Sequence, residues 1–176
     1  MRFIFAIQIC LVALTTYAQE PSVEKSNFGV QLGIIGFFSN YEIKLSSQFT
    51  LRSEIGYEAY YINTNASNNS DKIRFAPVIS AEPRWYYNLK KRYNQGKNID
   101  RNSGNFVALK IAYHFINMEI REILNFNSPS VIPYWGFRKT WNKRSHYEIL
   151  VGPNLNISNN SFTVGAYVTG RLGIDF

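Results

Sequence analysis

FTVGAYVTGRLGIDF, residues Phe162–Phe176, keeps a period of two from end to end. One face reads Phe162, Val164, Ala166, Val168, Gly170, Leu172, Ile174 and Phe176. The other reads Thr163, Gly165, Tyr167, Thr169, Arg171, Gly173 and Asp175. Successive side chains of a strand point to opposite faces, so this segment reads as one long strand with an apolar and a polar side. At about 3.3 Å per residue it is long enough to cross a bilayer at a tilt.

Working back from this strand, the same alternation recurs between turns rich in Asn, Ser and Gly. Tyr147–Leu155 puts Tyr147, Ile149, Val151, Pro153 and Leu155 on one face, and a tight turn at Asn142–Ser145 joins it to Val131–Trp141. Phe106–Ile116, Ile73–Tyr87 and Phe49–Tyr61 follow the same rule. Near the start, Phe28, Val30, Leu32 and Ile34 are in one phase, whereas Tyr41, Ile43 and Leu45 are in the other. A phase change near Gly36–Asn40 means either one bulged strand or two strands and a turn. A bacterial membrane barrel with both termini on one side needs an even strand number, which favours the turn and a total of eight. The expected fold is all-β: an eight-stranded antiparallel up-and-down transmembrane β-barrel.

Composition agrees with strands. Aromatics make up 16% of the 176 residues, with 12 Tyr and 13 Phe, and such side chains suit pleated surfaces. The first residues resemble a secretory signal: Arg2, an apolar run Phe3–Leu14, then Thr16-Tyr17-Ala18 before Gln19. That run is about 12 residues, short of the roughly 20 a spanning helix needs. The expected organisation is a signal peptide at 1–18, a short lead at 19–26 and one barrel domain at 27–176. The single cysteine, Cys10, lies inside the signal, with Ile9 where a lipoprotein signal needs a small residue. The mature chain therefore has no disulfide or thiol chemistry.

The two faces differ in charge. With the apolar faces outward, only Lys139 brings a charge to the outside. Opposite it lie Glu42, Lys44, Arg52, Glu54, Glu58, Arg74, Glu82, Arg84, Lys110, Arg138, Glu148, Arg171 and Asp175. The lumen of eight strands is just wide enough for side chains to fill. Arg52, Glu54, Glu82, Arg84, Lys110, Glu148 and Arg171 fall at similar heights in it and are expected to form a structural ion-pair network. The same alternation also fits a soluble barrel turned the other way, with its apolar face around a core. Aromatics near the strand ends favour the membrane reading, with Trp85, Tyr87, Trp141, Tyr147 and Phe176 at one end and Tyr61, Tyr113, Phe115 and Phe162 at the other. Four prolines inside strands, Pro77, Pro83, Pro133 and Pro153, predict bulges or frayed rims. The connection Asn88–Gly104 is long for its side, and its start, NLKKRYNQ, reads as a helical turn.

The final YVTGRLGIDF resembles the C-terminal signal that the barrel-assembly machinery reads, with Leu172, Ile174 and Phe176 as its apolar positions. The mature chain as a whole resembles short outer-membrane barrels of the OmpA/OmpX type, including outer-membrane β-barrel domain families without assigned activity. The resemblance implies a place in the bacterial outer membrane, lipids and the assembly machinery as partners, and a monomer. It implies no chemistry.

No catalytic, cofactor or metal residues are assigned. His114 near one rim, with Glu119, Glu122 and Ser128 in the following connection, is the only enzymatic alternative. It would make the chain a lipid A-modifying hydrolase or acyltransferase, but no tight spacing ties these residues together. His146 lies beside a turn at the other end, and two distant histidines make no ligand set. A third reading is a lipocalin-like periplasmic barrel with a lipophilic ligand. The net charge of +7 comes with no helix-turn-helix, zinc ligand set or basic helix, so nucleic acid is not an expected partner. The expected role is structural or interactive, with outer loops that meet an unidentified partner.

Overall fold

The computed structural model describes residues 20–62, 72–115, 130–158 and 161–176. The signal peptide and Gln19 lie outside these residues, as do Glu119, Glu122 and Ser128 and the side chains of Tyr61 and Phe162. Among the described residues eight strands form a closed antiparallel barrel. They are β1 (Ser26–Gly33), β2 (Gly36–Lys44), β3 (Phe49–Ile62), β4 (Lys72–Trp85), β5 (Gly104–His114), β6 (Ser130–Thr140), β7 (Ser145–Ser158) and β8 (Ser161–Asp175). Each strand pairs with the next in sequence, and β8 returns to β1 through pairs such as Leu32↔Leu172. Closure leaves no strand edge unpaired.

Exposure follows the period of two. Along β5 and β6 every second residue is buried. On these two strands the buried set holds every charge but Lys139, and the rest of the outward set is mostly apolar. Phe28, Phe37, Ile55, Ile79, Ile111, Trp135, Ile149 and Val168 face outward, one from each of the eight strands. Inside, small residues make room for large ones. A Cβ at Gly136 would sit 2.2 Å from the Phe106 ring that covers it, and one at Gly56 would sit 2.7 Å from the ring of Phe38. Only glycine permits these approaches at the two positions.

The turn between β1 and β2 differs from expectation. It is formed by Ile34 and Ile35, not by Gly36–Asn40, which lies within β2. The Ile34 N–H donates to Gly170 O at 3.1 Å, and Ala59 N–H donates to Ile35 O. Neighbouring strands thus satisfy the turn's backbone, so no Asn–Gly pair is required.

The prolines also act differently from expectation. All four face outward, and none shifts the register. Pro133 and Pro153 stand opposite one another: the β6–β7 ladder runs to Val131↔Leu155 and resumes in the same register at Trp135↔Val151. Neither proline has an N–H to offer. A shorter gap follows Pro83 between β4 and β5, where pairing resumes at Arg84↔Ala108 after Ala81↔Ile111. The other edges of these strands stay paired, β4 to β3, β6 to β5 and β7 to β8. These are missing rungs in an intact wall rather than bulges.

The connection between β4 and β5 contains the expected helical segment, α1 (Leu89–Asn94), and a 3-10 turn at Asp100–Asn102. Leu89 packs with Tyr86, Phe106 and Val23 in one buried cluster. Glu24 N–H donates to Asn102 Oδ1 at 2.8 Å, and Val23 N–H to Ser47 O at 3.0 Å. The lead and this connection together cap the end of the barrel at which β1 begins and β8 ends. Arg101 and Asn102, at φ 52° and 61°, turn the chain across that mouth.

Candidate functional site

The most concentrated chemistry lies inside the barrel. Inward positions of β3, β4, β5, β7 and β8 bring together all seven residues singled out from sequence. Arg52 lies 2.8 Å from Glu54 and 3.2 Å from Glu148. Arg84 lies 2.8 Å from Glu82 and 3.1 Å from Glu148. Lys110 and Arg171 both reach Glu54, at 3.5 and 2.6 Å. Two carboxylates therefore act as hubs, and Arg52 bridges them.

The network is larger than the alternation suggested. Arg138 joins Glu148 at 2.6 Å and also pairs with Asp175. His146 Nδ1 lies 3.0 Å from Asp175, and its Nε2 lies 2.8 Å from the Gln31 side chain. Gln31 Oε1 accepts from Arg52 and Arg171. The Tyr134 hydroxyl donates to Glu82, and Tyr86 and Thr50 donate to Glu42. His146 was legible by parity, since it shares a face of β7 with Glu148. The roles of Gln31 and Tyr134 were not, because polarity alone does not reveal a partner on a distant strand. Two expected inward charges, Lys44 and Arg74, are instead exposed near strand ends, where the wall no longer encloses them.

Rings close the remaining faces of the cations. Arg84 lies 4.4 Å from the centroid of Phe106, and Arg171 lies 4.2 Å from that of Phe38. Both arrangements are attractive through the ring quadrupole. Arg52, Arg84, Arg138 and Glu82 are inaccessible to solvent, so side chains fill the lumen at this level. Just past β4, burial together with the Glu42 carboxylate pushes the Tyr86 phenol well above its ordinary pKa. It stays a proton donor.

Compared with known proteins, this chain matches no family model, no curated protein and no solved structure.

Buried ions of this kind stabilise little relative to an apolar filling, but breaking one pair is costly. Among the described residues the paired side chains fill the lumen at this level. Nearer the opposite rim, His114 Nε2 lies 3.0 Å from Glu58 Oε2. Glu58 was placed inward by sequence, but its pairing with His114 was not foreseen. Leu172, Ile174 and Phe176 of the terminal motif are all exposed on the outer wall. Phe176 N–H donates to Phe28 O at 2.8 Å, and the two rings lie 5.9 Å apart. Among the described residues no group of three or more His, Cys, Asp or Glu side chains is placed to hold a metal ion. No helix there is long and apolar enough to cross a membrane.

Proposed function

We propose that the chain is an integral outer-membrane barrel of up-and-down topology, exported by its signal peptide, with a structural or interaction role. One observation carries this reading: all eight strands put apolar side chains on the outer wall, where Lys139 is the one charge among the described strand interiors, while the ion-pair network lies inside. Exposed apolar surface of this extent is unfavourable in water, where soluble monomers seldom show patches beyond a few hundred Å². The same surface matches hydrocarbon, and the closed ladder satisfies most backbone groups internally, the proline gaps aside, as a spanning structure requires. Aromatics support the reading at one margin, where Trp85 stacks on Phe49 and Trp141 on Tyr147, both with centroids 5.9 Å apart. The filled lumen argues against a pore. A partner, on this reading, meets the connections at 63–71 and 116–129. Resemblance to OmpA/OmpX-type barrels, assembly by the barrel-assembly machinery and a monomeric state complete the proposal.

Fractionation of cells expressing the chain, followed by gels run with and without boiling, tests it. The barrel should partition with outer membranes, require detergent and shift mobility on boiling. Recovery in the soluble periplasmic fraction, with the same mobility before and after boiling, would instead favour a lipocalin-like carrier. In planar bilayers the purified protein should show no steady conductance.

A further inference from the structure

The lumen is close to neutral, so the net positive charge of the chain must lie elsewhere. It gathers at the capped end. The β4–β5 connection brings Lys90, Lys91, Arg92, Lys97 and Arg101 against Asp100. The lead brings Lys25 against Glu20 and Glu24, and the β6–β7 turn brings Lys143 and Arg144 with no acid at all. Some of these cations are already engaged. Lys90 lies 3.7 Å from Glu20, Arg92 donates to Asn98 O, and Arg101 donates to Asn27 and to Phe176 O. Lys139, Lys143 and Arg144 are exposed, and no ion pair among the described residues involves them.

Lys143 and Arg144 lie in the turn that follows Trp141, and Lys139 lies two residues before it. Lys139 faces outward on β6 directly across from Tyr147 of β7. Trp141 stacks on Tyr147 with the ring planes 26° apart, and Tyr147 meets Phe137 edge-on at 5.8 Å. Ile149, next outward along β7, is exposed beyond them. From the turn along the barrel wall come Lys143 and Arg144, then Trp141, then Lys139 level with Tyr147, then the apolar wall at Phe137 and Ile149. Lys139 apart, that order is the order of groups in an anionic phospholipid: phosphate, glycerol and ester, then acyl chain. A soluble acidic polymer would use the cations but not the rings and wall directly above them.

We propose that the β6–β7 turn is a binding site for an anionic phospholipid. Lys139, Lys143 and Arg144 would take the phosphate and its neighbouring charge, and Trp141–Tyr147 would pack on the glycerol region. The inference rests on the membrane reading above and adds an orientation, with the basic end at the leaflet that supplies such headgroups.

The test reconstitutes the full chain in phosphatidylcholine vesicles with or without phosphatidylglycerol. Lipid retained by the protein is then read by native mass spectrometry. The wild-type protein should retain phosphatidylglycerol in preference to phosphatidylcholine. A basic side chain near an anionic surface is worth about fivefold in binding. The triple variant K139Q/K143Q/R144Q should therefore lose up to about a hundredfold at low salt, and less at high salt. Arg74→Gln, at the opposite rim, should change nothing. Mobility on unboiled gels confirms that each variant is folded. Insertion with no lipid preference, or an unchanged preference in the triple variant, overturns the site while leaving the membrane reading intact. Failure to insert in either vesicle defeats the membrane reading itself. Polyphosphate binding to the barrel in pure phosphatidylcholine, lost in the triple variant, would assign the cluster to an acidic polymer and also overturn the proposal.

Discussion

Glu148 and Ile149 are adjacent on β7 and face opposite worlds, so the same strand position can be tested from both sides. Glu148 Oε1 accepts from Arg52, Arg84 and Arg138 at 3.2, 3.1 and 2.6 Å. At an effective dielectric of about 20, a charge pair at these distances attracts by about 5 kcal/mol. Three such pairs exceed the stability of most domains, and the cost of dehydrating four ions offsets most of that sum. Removing the carboxylate does not recover the dehydration cost. Glu148→Gln leaves three guanidinium groups packed together without their shared negative charge, and it should destabilise the barrel by about 3–5 kcal/mol. Ile149, at 45% exposure on the outer wall, should respond to Ile149→Arg by about 1–3 kcal/mol if that wall lies in hydrocarbon, between the interfacial and midplane costs. On a water-facing wall the cost would be within about 0.5 kcal/mol. Urea unfolding in lipid vesicles, followed by tryptophan fluorescence and unboiled gels, measures both. If Glu148→Gln unfolds within about 1 kcal/mol (about a fivefold change in the equilibrium) of wild type, the hub does not hold the lumen together and the reasoning fails. If Ile149→Arg alone is silent, the outer wall is not in lipid.

The same contrast on β5 is expected to be unequal. Ile111→Arg should cost about 2–4 kcal/mol, whereas Lys110→Met should cost less than Glu148→Gln, because Glu54 keeps Arg52 and Arg171; the same urea titrations rank the three. Pro153→Ala restores a donor opposite Pro133 O, so hydrogen exchange at the Val151 and Leu155 amides should slow. Unchanged or faster exchange would show that the missing rung is not what breaks the β6–β7 ladder. Deleting Phe176 should lower the yield of assembled barrel without reducing export, measured by fractionation and unboiled gels; undiminished assembly counts against the terminal motif as an assembly signal.

Alternation along each strand was enough to say which residues share a face, because a strand's side chains have a period of exactly two positions whatever surrounds it. Glu148 and His146, or Ile149 and Val151, could be grouped without any coordinates. The number of strands followed from the phase change after Ile34 together with parity. The position of that first turn did not. Ile34 and Ile35 lack turn chemistry of their own, and their backbone groups are satisfied by Gly170 and Ala59 of other strands, which only the closed barrel brings near. Proline in a strand announced a lost donor, yet only the pairing of β6 with β7 set Pro133 against Pro153. The same holds inside. Sequence supplied nearly balanced charges on one face, but the choice of partners depends on closure. Arg171 meets Gln31 across 140 residues of chain because β8 pairs with β1. Which face turned inward was likewise undecided by the pattern, since alternation is symmetric between the two. The structure turns the ion pairs inward: a lumen of eight strands holds side chains that pair with one another, and the apolar wall is left outside.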